Sequence, residues 1–148
     1  MQRLMLFLVL LLFPLTAIAG EKISGTNFFV VDGQEWETGD GSGYWMWHGT
    51  GVSRTLEGPG DTNAIECHGA GFWDKEGSWG EGICVETIGD DTVTSDWKEE
   101  KGQEVGQWKF LSGTGKYAGV TGGGTYKSQS LAGGRSISEW EGEVTLAE

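Results

Sequence analysis

Beyond its first twenty-odd residues the chain alternates apolar and polar side chains with a period of two. The clearest run is 44–55. There Tyr44, Met46, His48, Thr50 and Val52 share one face, and Trp45, Trp47, Gly49, Gly51 and Ser53 share the other. Successive side chains of an extended backbone point to opposite sides, so this pattern predicts strand. No window sustains the i, i+3, i+4, i+7 spacing of an amphipathic helix. Read the same way, strands are predicted over 28–31, 44–55, 62–73, 79–88, 92–99, 104–111, 124–131 and 136–146, with Gly, Asp, Asn and Ser clusters between them. Eight short strands at about ten-residue spacing imply an all-β domain. An eight-stranded antiparallel barrel in up-and-down order fits best, because closure removes exposed edges. A two-sheet β-sandwich is the alternative.

Composition sharpens this picture. The chain holds 27 glycines and eight tryptophans in 148 residues. Glycines at 49, 51, 69, 71, 80 and 82 fall inside predicted strands, where a missing side chain leaves room for a bend or for a ring on a neighbouring strand. The tryptophans are therefore read first as packing and second as ligand contacts. At the N-terminus, Arg3 is followed by an apolar run over 4–15 and by Ala17-Ile18-Ala19. This is the layout of a secretory signal peptide over 1–19, cleaved after Ala19, with one barrel domain over 20–148. An uncleaved N-terminal anchor is the alternative, although the run falls short of the roughly 20 residues a membrane span needs. The expectation is a secreted or periplasmic protein with no stable membrane insertion after cleavage. The 22 acidic residues outnumber ten Lys and Arg, for a net charge of −12, which makes nucleic acid and anionic membranes poor partners.

Cys67 and Cys84 are the two cysteines. If Asp74 pairs with Gly77 across a tight turn, Cys67 falls opposite Cys84 on one face of a hairpin, as a disulfide requires. A register shifted by one puts the sulfurs on opposite faces. A redox pair is not expected, since no C-x-x-C occurs. The His and Cys spacing also matches no zinc pattern, so no metal and no cofactor are expected.

The segment 112–126, SGTGKYAGVTGGGTY, is nearly half glycine. It fits neither the dinucleotide fingerprint nor the P-loop: the glycine spacing is too long, Tyr117 follows Gly115-Lys116, and no amphipathic helix follows. It reads instead as a strand end, a single helical turn that folds Tyr117 and Val120 into the end of a barrel, and a glycine lead into the next strand. Over 108–126 it resembles the G-G-T-G-x-[FY]-x-G-x-x-G element of the allene oxide cyclase and dirigent-like barrels, and exported bacterial proteins on the same calycin-like barrel; Ser112 stands at the first glycine. That resemblance implies a cavity for a small apolar or aromatic molecule. The polar cavity residues of the cyclases and dirigent proteins find no matching positions in this chain.

Tyr44, Trp45, Trp47, Trp108 and Tyr117 are the candidate contacts for such a molecule. Glu66 and His68 lie two apart on one strand face and are candidate acid–base groups, as is His48 if its face lines the barrel. Two further functional classes stay open. One is a cyclase, isomerase or dirigent-type enzyme using Glu66, His68 or His48. The other is a structural or carbohydrate-contacting surface protein whose tryptophans stack on sugars. Glu139, Glu141 and Glu143 read as the wet face of the last strand.

Overall fold

The computed structural model describes residues 20–147; the leader expected over 1–19 lies outside the described residues. Eight antiparallel strands follow one another: β1 (Glu21–Gly39), β2 (Ser42–Glu57), β3 (Thr62–Asp74), β4 (Gly77–Ile88), β5 (Asp91–Glu99), β6 (Gly106–Gly113), β7 (Thr121–Leu131) and β8 (Arg135–Thr145). Each pairs with its sequence neighbours, and β1 pairs with β8 from Glu21↔Val144 to Val30↔Arg135, closing the barrel. That closure removes the sandwich alternative.

The β3–β4 hairpin adopts the unshifted register. Asp74 faces Gly77, Trp73 faces Ser78, and seven positions along each strand from the Asp74↔Gly77 pair Cys67 meets Cys84 in a disulfide. Gly77 sits at φ +143°, where a residue with a side chain is strained. The staple joins two neighbouring strands at a buried point, Cys67 being 1 % exposed.

The glycine-rich connection between β6 and β7 forms one 3₁₀ turn at Gly115–Tyr117. Backbone bonds Tyr117 N–H to Thr114 O and Val120 N–H to Tyr117 O hold it, and it brings Tyr117 and Val120 inward. They pack with Ile23, Val93 and Val144, so strands from opposite sides of the barrel meet on the plug. A second, smaller cluster joins Phe29, Ile65 and Cys67.

Two strands run further than their sequence pattern suggests. Strand β1, expected over 28–31, spans Glu21–Gly39, because β8 pairs with it from Glu21 and β2 is long enough to pair with it up to Gly39↔Ser42. Strand β7 begins at Thr121, three residues before the predicted start, because Gly122, Gly123 and Gly124 pair with β8. A Cβ at Gly124 would lie 1.9 Å from the Glu141 carbonyl oxygen, so the approach of the two backbones demands glycine there. The glutamates at 139, 141 and 143 are exposed on the outside of β8, as their alternation implies.

Candidate functional site

Closure assigns one face of every strand to the interior. On β2 this is the face of Trp45, Trp47 and Ser53; on β3, that of Asn63, Ile65 and Cys67. A cavity of about 470 Å³ lies within, walled by Trp45, Trp47, Trp97, Trp108, Trp140 and Phe29 among others. That volume suits one small molecule.

The indoles are held by glycines opposite them. Trp97 lies over the cross-strand pair Gly69↔Gly82, and a Cβ at Gly69 would come within 2.0 Å of its ring. Trp45 lies over the next such pair, Gly71↔Gly80, and a Cβ at Gly80 would meet its ring at 2.4 Å. The two indoles are thereby stacked almost parallel, with centroids 6.2 Å apart and planes 7° from each other. Trp47 meets Trp97 edge to face, also at 6.2 Å. Aromatic pairs at these separations and angles are favourable beyond the area they bury. The glycine slots let ring faces form this part of the cavity wall, beside aliphatic side chains such as Ile65 and Val93.

Three indole N–H groups find acceptors within the protein. Trp45 Nε1 donates to Ser78 Oγ at 3.0 Å, Trp140 Nε1 to Asn27 Oδ1 at 2.9 Å, and Trp108 Nε1 to the Thr125 carbonyl at 3.2 Å. The Nε1 groups of Trp73 and Trp97 are buried and find no acceptor among the described residues, and of these two Trp97 lines the cavity. An unmade hydrogen bond on a buried donor costs about 1–3 kcal/mol.

Glu86 and Glu99 are among the acidic residues that line the cavity. Glu99 Oε1 accepts a hydrogen bond from the Tyr126 hydroxyl at 3.2 Å. Burial, reinforced by the negative Glu99, pushes the Tyr126 phenol far above its ordinary value, so it remains a donor. Glu86 accepts a long bond from Asn63 Nδ2 at 3.5 Å. Burial raises the Glu86 carboxyl above its ordinary range, and the Asn63 amide only partly offsets this. The Ser53 hydroxyl, fully buried, is near enough to soften the rise but makes no hydrogen bond of ordinary geometry.

A raised carboxyl pKa means that the folded state holds the proton more tightly than the unfolded chain. The resulting penalty is absent below the unfolded value near 4.5. It grows as pH rises through the higher folded value and is complete above it. Glu86→Gln is therefore expected to raise the urea midpoint at pH 7 and to leave it unchanged near pH 4. Urea titrations across that range check this; a difference independent of pH would remove the assignment of Glu86 as a buried, reluctant charge.

Of the five aromatic contacts expected from the sequence, Trp45, Trp47, Trp108 and Tyr117 line the cavity. Tyr44 does not join them. It lies on the outer face, stacked on Trp36 at 5.8 Å and tilted against Phe72 at 5.3 Å. The three acid–base candidates also lie outside: His48 shares the outer face of Tyr44, and Glu66 and His68 share the outer face of β3. They do come together, with both imidazole Nε2 atoms within 3.1 Å of Glu66 Oε1. The barrel wall separates them from anything bound inside, so they do not act on a molecule in the cavity.

Sequence reasoning passed over Trp97, Trp140, Glu86, Glu99 and Asn63. A signal for several of them was present. Once Cys67 and Cys84 are paired and buried, counting by twos from each marks Asn63, Glu86 and Ile88 as interior.

No protein-family model matches the chain, and no curated protein matches it. Solved structures do. The pterocarpan synthase dirigent protein GePTS1 superposes with a TM-score of 0.55 at 12 % identity, covering 96 % of this chain and 98 % of that one. The pterocarpan synthase dirigent protein PsPTS1 does so with a TM-score of 0.52 at 12 % identity, covering 86 % and 95 %. At this identity the likeness concerns the backbone alone: the chain has the eight-stranded closed barrel of the dirigent proteins.

Proposed function

We propose that the protein binds one small, flat, largely apolar or aromatic molecule inside the barrel. The observation that carries this reading is the buried, unpartnered Trp97 N–H in a cavity of about 470 Å³ walled by indole rings. Stacked and edge-on rings favour a planar guest, and the free N–H favours a guest with one hydrogen-bond acceptor. Glu86 and the Glu99–Tyr126 pair offer further polar contacts for a hydroxyl or phenol on the guest. The disulfide supports residence in an oxidising compartment, in keeping with export.

Tryptophan fluorescence tests the reading. Titration with a panel of naphthols, phenols and flat polycyclic ketones should give saturable quenching or a spectral shift with at least one compound. Trp97→Phe keeps a smaller aromatic ring and removes the donor, and should weaken that compound about tenfold. Saturable response to sugars alone would instead favour a carbohydrate-contacting protein. No response to any compound would remove the binding proposal.

A second reading has a specific support. The fold is that of dirigent proteins, and carboxylates of this chain face the cavity. Under this reading Glu86 and Glu99 would orient a reactive aromatic guest. Glu66, His68 and His48 would take no part.

A further inference from the structure

His48, Glu66 and His68 form a compact group on the outer wall, apart from the cavity. His48 and His68 are direct cross-strand partners on β2 and β3, and Glu66 is diagonal to His48 on the same face. The two imidazoles lie nearly parallel, with centroids 4.4 Å apart and planes 11° from each other. His48 Nε2 is 3.1 Å and His68 Nε2 3.0 Å from the same oxygen, Glu66 Oε1. All three donor atoms lie within 4.8 Å of one another.

We propose that His48, Glu66 and His68 form a surface site for a late first-row divalent cation such as Zn²⁺, Cu²⁺ or Ni²⁺. Two imidazole nitrogens and one carboxylate oxygen are the donors such ions favour, and they disfavour Ca²⁺ and Mg²⁺, which take oxygen. An ion about 2.0–2.2 Å from each donor in tetrahedral array needs donors roughly 3.3 Å apart, close to the two His–Glu separations present; because the rings are stacked, one imidazole turns out of the stack for both in-plane lone pairs to meet the ion. Each imidazole binds through Nε2 with its proton on Nδ1, so the Nε2 protons now directed at Glu66 move or leave when the ion enters. Remaining coordination positions face solvent, because all three side chains are substantially exposed.

Two features keep the three donors close together. Cys67 lies between Glu66 and His68, points the other way, and is bonded to Cys84, which anchors β3 at the site. His48 is carried by β2, paired with β3 at every position from Gly43↔Trp73 to Arg54↔Thr62. Asp32, the β1 register partner of His48, adds an exposed carboxylate to the same face and makes it more attractive to a cation.

Calorimetric titration of the purified, oxidised protein with Zn²⁺ at pH 7.5, in a buffer free of chelators, tests the site. One equivalent is expected to bind in the range of about 1–10 µM. His48→Asn and His68→Asn should each weaken it at least about tenfold, and Glu66→Gln should weaken it less. These exposed changes leave the core untouched, and unchanged urea midpoints verify that the variants are folded. Electron paramagnetic resonance of the Cu²⁺-loaded protein should show coupling to two imidazole nitrogens, lost stepwise in the variants. Zinc affinity weaker than about 1 mM would overturn the site. So would affinity that survives the His48→Asn/His68→Asn double change, because the acidic surface would then be responsible.

Discussion

Replacing Tyr117 by alanine is expected to lower the unfolding free energy by about 3–5 kcal/mol, in the range for truncating a large buried aromatic side chain. Tyr117 is 8 % exposed and is the largest member of the cluster formed with Ile23, Val93, Val120 and Val144. It reaches that place from a single 3₁₀ turn, so no sheet pairing can carry the load once the ring is gone. The stability of a domain this size lies at about 5–15 kcal/mol, so a large part would be lost. In a thermal melt, Tm should fall by about 10–20 °C. Tyr117→Phe keeps the packed ring and should stay within about 1.5 kcal/mol of the parent. A melt of the alanine variant close to that of the parent would mean that the barrel end holds without its plug.

The second large effect concerns the disulfide. Cys67→Ala/Cys84→Ala, or reduction under non-denaturing conditions, should cost about 3 kcal/mol, the chain-entropy value for a sequence separation of 17. Intact mass with and without reductant should differ by two hydrogens in the parent and not in the double variant. Urea midpoints then report the loss. The bond also staples β3 beneath Glu66 and His68, so the double variant should bind Zn²⁺ more weakly without any change to the ligands themselves. A parent whose midpoint is insensitive to reductant would show that the staple constrains a strand pair already fixed by its neighbours.

The difference between the two faces of β2 explains what was and was not legible in the residues. Trp45 and Trp47 alternate with Tyr44, Met46 and His48, so each face carries aromatic or apolar side chains. On the outside of the closed barrel Phe28, Val30, Met46, Phe72 and Ile83 remain exposed. Hydrophobicity alone therefore does not choose the inner face. The polar residues point the same way: Ser53, Asn63 and Ser138 are buried, while many apolar ones are not. Tyr44 and His48 were consequently open to assignment on either side, and the structure puts both outside.

Local chemistry was enough for the number of strands and their approximate places, and it narrowed the β3–β4 register to two choices, of which the structure takes the unshifted one. Period-two alternation and turn residues act between near neighbours, and a two-residue turn at 75–76 sets the pairing of Cys67 with Cys84 seventeen residues apart. The same locality made the plug at Tyr117 readable from its glycines. The interior face, the cavity and the meeting of His48 with Glu66 and His68 were decided only by tertiary structure. Each depends on β1 reaching β8 and on the sense in which the sheet curls, and a strand's alternation is identical for both senses.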